Sequence, residues 1–126
     1  QWVTDALPDQ KPRHLLGIGY PEDIPHIIRA GVDTFDCIVP THYARRGIAF
    51  VAKDRMDLKK RSFLNDQKPI DPACACSTCK NYSRAYLTHL LRAHEITPLT
   101  LITFHNLFWF NAYVARIREG IRQGKI

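Results

Sequence analysis

Cys74-x-Cys76-x-x-Cys79 constrains this chain more than any other feature. Three of its four cysteines fall in that one short segment. The loop between them is too short to let the thiols diverge, so they converge on one point. No signal peptide is visible, so a reducing compartment, the cytoplasm, is expected and disulfides are not. Three close thiols in such a setting point to a metal ion. Zinc takes four ligands in a tetrahedron, with sulfur at about 2.3 Å and nitrogen at about 2.0 Å. Three sulfurs leave one corner, and the chain offers His14, His26, His42, His89, His94 and His105. His89 and His94 lie on the helix expected after Cys79, which carries them away at about 1.5 Å per residue. His105 stands between an apolar run and the expected start of the last helix, where a returning chain can close a site. Spacing thus favours His105 over His94 without deciding between them. A closed Cys₃His shell keeps no corner for water, which makes the ion structural. The competing reading is three reduced thiols with no metal.

A staple of this kind suits the chain's size. With 126 residues, 45% of them hydrophobic, it can bury a core but not a large one. No run of about 18 apolar residues exists, so no helical membrane span is expected. The opening QWVTDALPDQKPRHLL reads as if cut from something longer. Eighteen Lys and Arg against twelve Asp and Glu give a formal charge of +6. That balance suits a polyanionic partner such as nucleic acid, although many basic domains bind nothing anionic.

Along the chain, residues 1–13 read as a polar lead-in. His14–Ile18 reads as a buried strand ending in the turn at Gly17 and Gly19. Pro21, Glu22 and Asp23 suit a first helical turn. Ile24, Ile27 and Ile28 mark an apolar face, and Gly31 is a stop signal. Phe35–Val39 reads as a second buried strand. Strand, helix and strand in so few residues make a βαβ unit with parallel strands. Pro40–Gly47 reads as a basic loop. Ile48–Val51 and Met56–Leu58 suit a hairpin across Ala52–Arg55, and 65–72 should be irregular. Asn81–Ile96 reads as one helix, with Tyr82, Tyr86 and His89 on a stripe. Pro98 separates it from the apolar run Leu99–Phe104. A last helix from Asn106 to about Arg122 carries Leu107, Phe110, Val114, Ile117 and Ile121 at spacings of three and four.

Asp36 sits inside the apolar run of the second strand. A buried carboxylate is costly unless paired or put to use. In parallel α/β units chemistry gathers at the carboxyl ends of strands, and Thr41, His42, Arg45 and Arg46 follow at once. A carboxylate beside a basic loop fits attack on a sugar carbon next to bound phosphates. It also fits a structural Asp paired with Arg45 or a backbone amide. Asp33 reads as a solvated turn residue. The run Lys53, Arg55, Lys59, Lys60 and Arg61, broken by Asp54 and Asp57, reads as a solvated hairpin before a nucleic-acid contact.

The segments LLGIGYPEDI, GVDTFDCIVPTHYARRG, CACSTCKNYSRAYLTHLLRAHEI and TFHN resemble, in order and spacing, the bacterial tRNA-guanine transglycosylases. The resemblance covers roughly residues 13 to 122. It implies zinc held by Cys74, Cys76, Cys79 and His105, the His being 26 residues after Cys79. It implies an α/β fold, the C-terminal part of a TIM (β/α)₈ barrel with a small zinc-binding subdomain. Residues 1–52 would be the last barrel units with the catalytic Asp loop. Residues 53–126 would be the zinc-binding subdomain and C-terminal helices. The implied reaction exchanges the wobble guanine of tRNA anticodons for a 7-deazaguanine of the queuosine pathway, through a covalent link between ribose and Asp36. Leu16 and Gly17 would line the base pocket. His42, Arg45 and Arg46 would meet the RNA. Tyr82, Tyr86 and His89 would lie near a homodimer interface. The family commonly has Arg where this chain has His42, and a neutral His grips phosphate less well. The family enzyme is also roughly three times longer, so the isolated chain is expected to be inactive. The alternatives are a non-catalytic, zinc-dependent dimerisation or RNA-binding subunit of the same family, and a free-standing zinc and RNA-binding domain.

Overall fold

The structure, a computed structural model, describes residues 2–52 and 54–125. It divides into two compact units, Gln1–Val39 and Pro40–Ile126. The sequence reading had put a boundary after residue 52. The hairpin spans that point, and its first strand, Ile48–Val51, is tied by hydrogen bonds to the last helix within the second unit.

In the first unit, helix α1 (Trp2–Ala6) replaces the expected loop. Strand β1 (His14–Leu15), helix α2 (Ile24–Arg29) and strand β2 (Thr34–Phe35) follow. The strands are parallel, with His14 opposite Thr34 and Leu15 opposite Phe35, so the βαβ unit is as expected. Ile24 is fully buried, and Gly31 ends α2 at φ +90°, a conformation that favours glycine. The helix begins later than expected: residues 21–23 form a turn, and Pro25 rather than Pro21 occupies the first helical turn. Both strands are shorter than their apolar runs, and neither is the buried strand expected. Gly17, at φ +70°, turns the chain out of β1, leaving Leu16 76% exposed. Val39, expected to end the second strand, instead opens a helix.

That helix, α3 (Val39–Ala44), takes up most of the expected basic loop. Strands β3 (Ile48–Val51) and β4 (Asp54–Asp57) form the antiparallel hairpin, with Ile48 opposite Asp57 and Val51 opposite Asp54. Ala52, at φ +46°, makes the turn tighter than expected. A 3₁₀ turn (Arg61–Phe63) and helices α4 (Ser77–Asn81), α5 (Arg84–Arg92) and α6 (Thr97–Arg122) complete the unit. Its core joins Ala44, Ala49, Leu58, Ile70, Leu87 and Ile102 to Cys76 and Cys79.

Two helices differ from the reading. The helix expected over Asn81–Ile96 is shorter, α5 over Arg84–Arg92, because Tyr82 is extended (φ −132°, ψ 139°), and the cysteine segment before it forms the separate α4. Ser83 then caps α5, its hydroxyl accepting from the Tyr86 amide at 3.2 Å, as an N-cap serine does. Conversely, α6 runs unbroken through the stretch expected to hold a run and a separate helix. Pro98 lies in its first turn, where a missing N–H costs nothing. The buried stripe of α6 is Pro98, Ile102, His105 and Trp109, flanked by Asn106, Phe110 and Ile117. Leu107 and Ile121, expected inward, are 40% and 43% exposed.

Candidate metal centre and acid site

Cys74 and Cys76 lie on the loop entering α4, Cys79 lies on α4, and His105 lies midway along α6. Their ligand atoms all fall within 4.8 Å of one another. His105 Nδ1 is 3.7 Å from Cys74 Sγ, 3.5 Å from Cys76 Sγ and 3.3 Å from Cys79 Sγ. A tetrahedron with zinc's bond lengths has sulfur–nitrogen edges of about 3.5 Å, so the four atoms match its spacing. His94 is exposed and outside the cluster. The geometry therefore selects His105, although it reaches the site from within a helix rather than from a loop.

The protonation of His105 also suits a ligand. Its Nε2 is 2.7 Å from the Phe50 carbonyl oxygen. A carbonyl only accepts, so Nε2 carries the hydrogen and Nδ1 turns its lone pair to the sulfurs. Burial holds the imidazole below its usual pKa, in the neutral form. Burial, reinforced by the charges of Cys76 and Cys74, pushes the Cys79 thiol up to about 12, and burial also raises Cys74. Three crowded thiolates are thus costly without a cation to neutralise them. Cys76 Sγ additionally accepts from the Cys79 amide at 3.3 Å, capping α4.

Asp36 follows β2 directly. It is not buried as expected: its side chain is 61% exposed. The strand has already ended at Phe35, so no pleat turns the carboxylate into a core. Its Oδ1 accepts from the Gly17 amide at 3.4 Å and lies 3.1 Å from His14 Nε2. The turn facing it is held close, since a Cβ on Gly19 would stand 2.7 Å from Cys37 Sγ. That thiol is 3.5 Å from the Gly19 carbonyl oxygen, and burial raises its pKa. Asp33, read as solvated, accepts from the Arg13 amide at 2.8 Å.

The family model described as Queuine tRNA-ribosyltransferase matches residues 1–126. The chain belongs to the queuine tRNA-ribosyltransferase family. It is 45% identical over 125 residues to the Queuine tRNA-ribosyltransferase of Caldanaerobacter subterraneus subsp. tengcongensis, covering 99% of this chain and 33% of the relative. The corresponding protein of Koribacter versatilis is 44% identical over 123 residues, 98% of this chain and 32% of the relative. That of Acidithiobacillus ferrooxidans is 47% identical over 120 residues, 95% of this chain and 32% of the relative. The chain thus spans about a third of the length of these curated relatives.

In this member of the queuine tRNA-ribosyltransferase family, His42 lies on α3, and Arg45 and Arg46 follow it, exposed. Arg45, Arg46, Lys59, His94 and Glu95 line one open cavity of about 240 Å³. His42 also meets Tyr43 edge-on, with ring centroids 5.9 Å apart. Of the basic run, Lys53 lies outside the described residues. Leu16 and Gly17 are exposed. Tyr82 and Tyr86 stack at 5.4 Å on the outer side of α5, and His89 is exposed there too.

Two residues escaped the sequence reading. Asn106 is fully buried. Its amide donates to the carbonyls of Pro40 and Ile48, both at 3.0 Å, and accepts from the Phe50 amide at 3.0 Å. It binds α3 and β3 to α6 beside the metal ligand, and the adjacent His-Asn pair was its signal. His14 was noted only as one histidine among six.

Proposed function

We propose that the full-length protein is a tRNA-guanine transglycosylase and that this chain supplies its nucleophile and its structural zinc site. The chain forms the C-terminal part of a TIM barrel together with a small zinc-binding subdomain. An Asp36 oxygen bonds to the ribose anomeric carbon as the bond to the wobble guanine breaks. Guanine leaves with the electron pair and takes up a proton from a general acid elsewhere in the enzyme. A 7-deazaguanine then gives up its proton, takes the anomeric carbon and releases the carboxylate. Leu16 and Gly17 border the base, and His42, Arg45 and Arg46 contact the RNA backbone. Cys74, Cys76, Cys79 and His105 would hold zinc, which supplies rigidity to the join of α4 and α6 and takes no part in the exchange. The enzyme works in the cytoplasm on tRNA, as a homodimer, and the 126-residue chain alone is inactive.

The observation that supports this reading most is family membership over the whole chain, with an exposed carboxylate just past the end of a parallel strand. The test is base exchange by a full-length enzyme carrying this sequence as its C-terminal third. Asp36→Ala should abolish both exchange and any covalent adduct with tRNA. Exchange that survives in Asp36→Ala would remove the assignment. The second reading, a non-catalytic dimerisation or RNA-binding subunit, draws on the outward Tyr82–Tyr86 stack. It predicts no exchange by the full-length protein on its own, and exchange in complex with a catalytic subunit that is indifferent to Asp36→Ala.

A further inference from the structure

Both contacts on the Asp36 carboxylate among the described residues fall on the same oxygen, Oδ1. A carboxylate only accepts, so His14 Nε2, 3.1 Å away, must carry the hydrogen. A neutral imidazole with a proton on Nε2 offers Nδ1 as an acceptor. Thr34 Oγ1 lies 2.8 Å from Nδ1, and a hydroxyl is free to donate there. In that neutral tautomer the three residues form a directed chain, from the Thr34 hydroxyl through the His14 ring to Asp36 Oδ1.

The backbone arranges that chain. His14 and Thr34 are register partners on the parallel strands. Thr34 closes β2's pairing with His14, and Asp36 follows two residues later, with both side chains against the His14 ring. One imidazole on the neighbouring strand can then touch both. Its side chain is 44% exposed, so apolar packing gives it little reason to sit there.

We infer that His14, held in one tautomer by Thr34, is a positioning residue for Asp36, and that Oδ2 is the oxygen that attacks. The inference rests on reading Asp36 as the nucleophile. Two hydrogen bonds on Oδ1 fix the rotation of the carboxylate about its Cβ–Cγ bond and leave the Oδ2 lone pairs uncommitted. Holding a nucleophile within a fraction of an ångström of its attack position accounts for rate factors of up to about 100. His14 keeps its proton throughout, since its hydrogen bond serves orientation and not transfer.

The experiment compares His14→Gln, His14→Asn and His14→Ala in the full-length enzyme, with Asp36→Ala in parallel. A glutamine amide reaches the position of Nε2 and can still donate to Oδ1, whereas an asparagine amide reaches only the position of Nδ1. His14→Asn and His14→Ala should therefore lose on the order of 10- to 100-fold in kcat, with KM for tRNA little changed. His14→Gln should recover most of that loss. Full activity in His14→Asn would overturn the inference. So would a His14→Gln variant as impaired as His14→Ala, with all three melting lower, because that pattern belongs to packing. The two levels separate cleanly. Exchange persisting in Asp36→Ala removes the nucleophile reading itself. A dead Asp36→Ala enzyme beside a fully active His14→Asn enzyme removes only the role of His14.

Discussion

Asn106 satisfies three backbone groups from a fully buried position. Asn106→Ala would strip the Phe50 amide and the Ile48 carbonyl of this partner, while the Pro40 carbonyl keeps its place in α3. A buried unsatisfied group costs about 1–3 kcal/mol, so the variant should lose about 3 kcal/mol or more by denaturant titration. The ligand residues make a different prediction. The metal-free Cys74 and Cys79 thiols hold their protons more tightly than usual, so zinc must displace them. Zinc affinity should rise with pH, with protons released on binding, as calorimetry in buffers of different ionisation enthalpy would report. At this scale the metal site was largely legible in the sequence, because a short loop leaves thiolates one place to meet. The environment of Asp36 was not. An apolar run suggested burial, but burial depends on what covers a strand, and the two-residue strands end before the carboxylate.

Elements were legible where local chemistry set them and misread where packing did. The βαβ unit followed from Gly31 and the isoleucine face, and the hairpin from two short apolar runs across a polar link. The late start of α5 was missed because Ser83, a capping residue, sits inside a pattern that otherwise reads as one helix from Asn81. The unbroken α6 was missed because Pro98 was taken as a divider rather than as a first-turn residue. Its buried stripe follows His105 and Trp109, so the half-exposed Leu107 and Ile121 misled the spacing. The loop before α4 is pinned to α5 by Arg84, which bonds Asp66 at 2.9 Å and the Ile70 carbonyl at 2.9 Å. The Lys68 amide, then Arg84, hold the Asp66 carboxyl below its usual pKa. A depressed folded-state value stabilises the fold above the unfolded pKa of about 3.9. That contribution is lost as pH falls through the lower folded value. Asp66→Asn should therefore lower the melting temperature at neutral pH and flatten its decline below about pH 4.

For the molecule as a whole, the second unit has its metal cluster at the junction of α4, α6 and β3, within its core. Structural zinc in small sites is worth about 10–16 kcal/mol, as much as the whole stability of a typical domain, about 5–15 kcal/mol. The mixed α/β character and the thiols of the cluster were readable because the motifs are local. The division between Val39 and Pro40 was not, because it depends on the distant partners Asn106 and His105 binding β3 to α6. Metal analysis of the purified 126-residue chain, alone and as His105→Ala, tests the central claim most directly. The account predicts one tightly held zinc per chain, a bound fraction that collapses in His105→Ala, and unfolding of residues 40–126 on chelation. A chain purified without metal yet fully folded, or a His105→Ala variant that holds zinc as tightly as before, would contradict it.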